Sequence, residues 1–217
     1  MFKIELHAHT SEVSDCSQLP AAAVVDGCLA AGYNSLVITD HLTHYFVEIR
    51  KAQPWETTVS QFLSGYIAAK ETGKMPVLLG MEYRNFESHN DYLVFGVTEG
   101  FLLQNPGLCR LPLSRFFDLC ERAGLLLFQA HPFRPDMIRA NPAFLHGVEV
   151  HNGNIRHNSN NALAAAFARE HSLLGISGSD LHQPCDFDRG GILTERAVPD
   201  NASLLSVLRT GQYTLLL

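Results

Sequence analysis

Phe2-Lys3-Ile4-Glu5-Leu6-His7-Ala8-His9 is a short apolar run, Phe2 to Leu6, that ends on two histidines. The same design recurs along the chain. Ser35 to Thr39 runs into Asp40-His41, Val77 to Met81 into Glu82, and Leu125 to Gln129 is followed by His131. Gly147 to Val150 meets His151, Leu174 to Ser177 leads to Asp180 and His182, and Tyr92 to Phe95 is preceded by Asp91. These seven segments are rich in Val, Ile and Leu, as suits strands buried on both faces. Helix-like stretches separate most of them: Pro20 to Ala31 stopped by Gly32, Thr57 to Glu71 by Gly73, Leu113 to Ala123 by Gly124, and Asn160 to His171. A last helix is expected near Ser203 to Arg209, and none is evident between Tyr92 and Pro112. Strand alternating with helix predicts a parallel β/α barrel. In such a barrel the C-terminal strand ends open on one face, where residues far apart in sequence converge.

Size and composition agree with one domain spanning residues 1–217: 46% of the residues are hydrophobic and 18% charged. No apolar stretch approaches the ~20 residues of a membrane span. Met1-Phe2-Lys3 leads straight into a strand without the sections of a signal peptide, so a cytoplasmic location is expected. The five cysteines are scattered and form no C-x-x-C pair, which predicts free thiols rather than a disulfide framework or zinc ribbon. A net charge of -6 without a basic run argues against long nucleic acid and anionic membranes as partners. Small anionic substrates stay open, because bound metals reverse the local field.

Neither His7-Ala8-His9 nor Asp180-Leu181-His182 is specific alone, since two residues at i and i+2 share one side of a strand in many proteins. Their joint occurrence with Asp40-His41, Glu82 and His131, each at a strand end, predicts a metal site. Mixed imidazole and carboxylate donors suit zinc, manganese or iron(II) and do not choose among them.

The text His7-Ala8-His9-Thr10, Ser14-Asp15, Ile38-Thr39-Asp40-His41, Gly80-Met81-Glu82, Ala130-His131-Pro132-Phe133 and Gly178-Ser179-Asp180-Leu181-His182 resembles the PHP (polymerase and histidinol phosphatase) family. The resemblance implies a distorted seven-stranded parallel (β/α)7 TIM-like barrel with two or three divalent metals at its C-terminal strand ends. By position, it implies that His7, His9, Glu82 and Asp180 surround the first metal. Glu82 bridges to a second metal also held by His131, and Asp15, His41 and His182 hold a third. The second metal's remaining ligand, commonly His in the family, would here be Asp91 or His89.

Two metals bridged by a carboxylate activate a water near neutral pH, so no protein nucleophile is needed, and no Ser or Cys triad is found. Glu82, Asp180 and His182 are expected at the reacting centre. Arg134 and Arg84 stand where a guanidinium could fix phosphate oxygens, and His151 could be a supporting or substrate-contacting residue. Asp40 either orients His41 or caps the loop after it. His44, His146, His157 and His171 read as surface or helix residues. The function expected is hydrolysis of a small phosphomonoester, histidinol phosphate or a nucleotide, by metal-activated water. The alternatives are an amidohydrolase-type C–N hydrolase, which Glu82 and the D-x-H fit poorly, and a non-catalytic PHP regulatory module. Nothing in the sequence sets the oligomeric state.

Overall fold

The computed structural model describes residues 1–217. In chain order the strands are β1 (Phe2–Ala8), β2 (Ser35–Ile38), β3 (His41–Thr43), β4 (Val77–Arg84), β5 (Tyr92–Phe95), β6 (Leu126–Gln129), β7 (Gly147–Asn152), β8 (Leu174–Gly178), β9 (Ile192–Thr194) and β10 (Thr214–Leu215). The α-helices are α1 (Ala21–Ala30), α2 (His44–Glu48), α3 (Trp55–Phe62), α4 (Ser64–Glu71), α5 (Glu99–Gln104), α6 (Leu113–Ala123), α7 (Asn161–Glu170) and α8 (Asn201–Thr210). All seven predicted strands form. The single helix expected over Thr57 to Glu71 is two, α3 and α4, meeting at Leu63.

The sheet runs β10-β9-β1-β2-β4-β5-β6-β7-β8, with β3 added to β4. It is mixed and ten-stranded, which corrects the expectation of seven parallel strands. β5 is antiparallel to both β4 and β6. The cause is local: residues 85–91, which join β4 to β5, contain no helix, and a parallel return needs a crossover of about a dozen residues or more. β9 also runs antiparallel to β1. Between β8 and β1 the barrel comes close to closing, through His9 N–H to Leu181 O and Leu181 N–H to His7 O, both 3.0 Å.

The reversal of β5 has a direct effect on the site. A residue just before a parallel strand would lie at the far end of the barrel from His7 and His9. Because β5 runs the other way, Asp91 enters the same rim as the C-terminal ends of β1, β4 and β7.

Apolar faces of the strands fill the interior with Ile4, Leu6, Val37, Leu93, Phe95, Phe128 and Ile176, all 0% exposed. Helices cover the outside. α1 and α4 pack Val24, Val25 and Ala69 against Leu36 and Ile38, while Phe116 of α6 stacks on Tyr83 of β4 at 3.8 Å. α6 ends where the sequence places its stop, with Gly124 in the left-handed region at φ 71. All five cysteines are free thiols, and no helix is long and apolar enough to cross a membrane.

Candidate metal centre

Two strands that supply the site are bulged close to it. On β1, Glu5 to Ala8 is paired with Leu36 to Ile38, so β1 holds one extra residue; β7 holds another between Glu149 and His151. Such insertions re-aim side chains at a rim. Glu5, fully buried, secures the first of them by accepting from the backbone N–H groups of Leu6, His7 and Ser179. Gly178 lets the two bulges approach, for a Cβ there would lie 2.5 Å from His7 Cβ and 2.8 Å from Glu149 Oε1.

Glu82 stands at the centre. His7 Nε2 is 3.4 Å and His131 Nε2 3.2 Å from its Oε1, while His9 Nε2 and His41 Nδ1 are 3.3 and 3.0 Å from its Oε2. On the other side of His7 and His9 is Asp180, its Oδ1 3.4 and 3.6 Å from their Nε2 atoms. His182 Nδ1 lies 3.3 Å from the same oxygen. Asp91 Oδ2 reaches to 4.0 Å from His131 Nε2. Three groups of donor atoms are close enough to share an ion: His7, His9 and Glu82; Glu82, Asp91 and His131; and His9, His41 and His182.

These residues fit metal ions on an observation independent of their identity. His7 Nε2, His9 Nε2 and His41 Nδ1 are buried and have no hydrogen-bond partner, despite the nearby carboxylates. A buried polar atom left unpaired costs roughly 1–3 kcal/mol, and three converging on one carboxylate is the pattern of atoms that share a cation instead. Backbone strain points the same way. His131 and Asp180 have φ of 29 and 51, a region that non-glycine residues adopt rarely and mostly where function requires it.

Charge is arranged to keep the donors ready. Burial opposes ionisation of Glu82, yet the imidazolium charges of His7 and His41 hold its pKa well below the usual carboxylate range. Asp180 is likewise buried, and the neighbouring His7, His9, His182 and Arg134 hold it low. Burial, then the charges of His182 and His41, push His9 well below its ordinary value, so its ring is neutral with a free lone pair. For His7 and His41 burial acts downward, but the facing carboxylates outweigh it and raise both well above 6.5.

Supporting contacts include residues that sequence reasoning missed. Glu149, fully buried on β7, accepts from His7 Nδ1 at 2.8 Å and from His131 N–H at 3.0 Å. It thereby fixes the His7 tautomer and turns Nε2 to the centre. The one sign of it in the sequence is a lone carboxylate between Val148 and Val150. Asn152 and Asn154 donate to Asp180 Oδ2 at 3.3 and 3.4 Å.

Other expectations are redistributed. Asp15, expected with His41 and His182, is exposed and outside all three groups. Ser14 turns inward instead, donating to Asp40 Oδ1 at 2.7 Å, and the next residue that faces the centre is Cys16, with Sγ 3.1 Å from His182 Nε2. Burial raises the Cys16 thiol pKa, but hydrogen bonds to His182 and His41 outweigh it and bring it down to about 6. Asp40 accepts from Thr10 N–H, Thr10 Oγ1 and Ser14 Oγ, so it ties down the turn after His9 rather than orienting His41 or capping the loop after it. Its burial pushes it up to about 6. Of the two options for the second metal's last ligand, Asp91 is buried beside His131, whereas His89 is exposed.

Arg84 binds Asp91 through Nε and Nη2 at 2.6 and 2.7 Å. Arg134 donates through Nη2 to Asp180 Oδ2 at 2.7 Å and to Asn152 Oδ1 at 3.0 Å. Both line a cavity of about 270 Å³ over the cluster, together with Arg156 and, against expectation, His157. His151 is not part of it. Its Nε2 faces Arg189 O and its Nδ1 the Asn161 amide, in a neighbouring polar groove, because the bulge before it shifts the end of β7.

Residues 158–213 match the family model described as PHP-associated. Among solved structures, the chain superposes with TM-score 0.68 at 16% identity on a two-domain protein from Bacteroides vulgatus containing a predicted PHP-like metal-dependent phosphoesterase. In fold the chain resembles proteins that contain a PHP-like domain. That superposition takes in 99% of this chain and 64% of the other, so the chain spans less than two thirds of that protein's length. An amidohydrolase from Chromobacterium violaceum, with bound sulfate and no metal, is similar at TM-score 0.57 and 17% identity over 97% of each chain. The lesion-specific endonuclease EndoQ from Pyrococcus furiosus is similar at TM-score 0.59 and 14% identity, over 100% of this chain and 58% of that one. No curated protein matches in sequence. This fold is thus shared by proteins named for different hydrolytic reactions, and the fold alone does not select among them.

Proposed function

We propose that this protein is a metal-dependent phosphoesterase of the PHP type acting on a small phosphomonoester. The observation that carries this reading is the placement of three arginines, Arg84, Arg134 and Arg156, on the walls of the cavity above the Glu82 cluster. Divalent ions held by His7, His9, His41, Glu82, Asp91, His131, Asp180 and His182 would supply a water activated near neutral pH and Lewis-acid stabilisation of the charge that develops on phosphorus oxygens.

The remaining work falls to the chain's own groups. Glu82 offers an oxygen to each side of the cluster, as a bridging carboxylate must. Glu149 holds His7 with its lone pair inward. Arg134 is a ready anion donor: its hydrogen bonds all run through Nη2, and its Nε is buried without a partner. A phosphate oxygen in the cavity would accept a charge-assisted bond from the part of the fork that no protein group engages. Arg84, already committed to Asp91 by two bonds, holds that carboxylate beside His131 and adds positive potential to the cavity wall.

A cavity of about 270 Å³ suits a small substrate, and the net charge of -6 disfavours a long polyanion. Hydrolysis of phosphomonoester, phosphodiester, amide and damaged-DNA substrates, with zinc, manganese or iron(II) supplied in turn, tests the reading. Turnover is expected on phosphomonoesters, histidinol phosphate and nucleotides among them, and its loss on chelation. Preference for an amide would favour the amidohydrolase alternative, preference for DNA would favour an endonuclease, and no turnover with any metal would favour a non-catalytic module.

A further inference from the structure

Cys16 is exposed at the cavity wall, which it lines together with His41, and its Sγ lies 3.1 Å from His182 Nε2. The donor atoms of His41 and His182 sit within 4.8 Å of each other and of His9. Independently of the thiol, this corner contains an unsatisfied ligand atom. His41 Nδ1 is buried without a hydrogen-bond partner, and the His41 and His182 rings lie 4.4 and 4.3 Å from that of His9 between them. On the outer side of the corner no hydrogen bond or ion pair joins Asp15 to His41 or His182, and the side chain in contact with His182 there is Cys16.

We propose that Cys16 is a thiolate ligand of the third metal position, together with His41 and His182, and that it makes this position selective for zinc. The inference rests on the metal-centre reading above. A thiolate is a soft donor that favours zinc, whereas manganese favours carboxylate and water oxygen. With three protein ligands the position keeps a coordination site open toward the cavity, the arrangement of a catalytic rather than a structural zinc. Ion binding would release the thiol proton to solvent and leave the thiolate on the metal. The other cysteines do not compete for the role: Cys28, Cys109 and Cys120 are buried in the apolar core, and Cys185 is placed beside Arg156 and Asp186.

X-ray absorption on the zinc-loaded full-length protein, paired with elemental analysis, tests this. About one sulfur scatterer per protein is expected at about 2.3 Å, distinct from nitrogen and oxygen at about 2.0–2.2 Å. Cobalt substitution should add a thiolate-to-cobalt charge-transfer band. Both signals should vanish in Cys16→Ser, whose zinc content should fall by about one equivalent. Cys16→Asp should regain that equivalent, now without sulfur and without discrimination between zinc and manganese. Bound metal with no sulfur neighbour in the wild type would overturn the Cys16 assignment and leave the histidine–carboxylate centre standing. Failure to bind any metal would overturn the centre itself, so the two failures are distinguishable.

Discussion

Arg134 Nη2 and Asp180 Oδ2 are joined over 2.7 Å, linking the residue expected to hold phosphate to a carboxylate of the metal cluster. Arg134→Ala is expected to lower kcat/KM for phosphomonoesters roughly ten- to a thousandfold, as for the loss of about 1.5–4 kcal/mol of charge-assisted contact. Metal content at saturation should persist, because Asn152 and Asn154 still reach Asp180 Oδ2. Arg134→Lys should recover only part of the rate, since an ammonium lacks the planar fork. Parental rates on every phosphoester in Arg134→Ala would reduce the arginine to a partner of Asp180.

Glu149 gives a second prediction. Its Oε1 accepts from His7 Nδ1 at 2.8 Å, and partners of this kind typically change metal affinity by about 10- to 100-fold when lost. Glu149→Gln keeps an oxygen for the bond but removes the charge, so a fall toward the lower end of that range is expected. Calorimetric titration of the metal-free variant reads it directly. An unchanged dissociation constant would remove Glu149 from the account.

Stability and metal loading should respond to pH in opposite directions. His7 and His41 are raised well above 6.5 in the metal-free fold, where burial is outweighed by Glu149, Asp180 and Glu82 for the first and by Glu82 for the second. A raised imidazole stabilises the fold fully below its unfolded value of 6.5, and that contribution is lost as pH rises through the folded value. Ions must displace the same protons, so their affinity grows over the same window. Thermal melts should therefore show a metal-free Tm that declines from pH 6.5 to 8 while the increment from added zinc increases. A zinc increment that shrinks with rising pH would contradict this.

The strands were legible because burial on both faces leaves uninterrupted Val, Ile and Leu runs, and most of the clustered histidines and carboxylates because each follows such a run. Direction was not legible: apolar runs carry no polarity, and β5 reads the same either way up. Its reversal follows from the short, helix-free link of residues 85–91 and is what brings Asp91 to the rim that carries His7 and His9, while the helix Glu99–Gln104 forms where none was evident. Asp15 was placed by family position, whereas the structure is decided by a turn. Once Ser14 bonds Asp40, its neighbour Asp15 is directed outward and Cys16 returns to face His182. His151 departed for a related reason, a bulge that no local sequence signal marks. Glu149 lies within β7 and not at its end, so it follows no apolar run, although a charged residue between two buried valines has to be paired by something.

Metal content in the wild type and in Glu82→Gln tests the central claim most directly. Glu82 is the one carboxylate within 3.0–3.4 Å of His7, His9, His41 and His131, so the account requires it for more than one ion. Elemental analysis after saturation and desalting should find two to three equivalents of transition metal in the wild type. It should find substantially fewer in Glu82→Gln, with phosphomonoester turnover falling in parallel. Less than one equivalent in the saturated wild type, or full occupancy and activity in Glu82→Gln, would contradict the account.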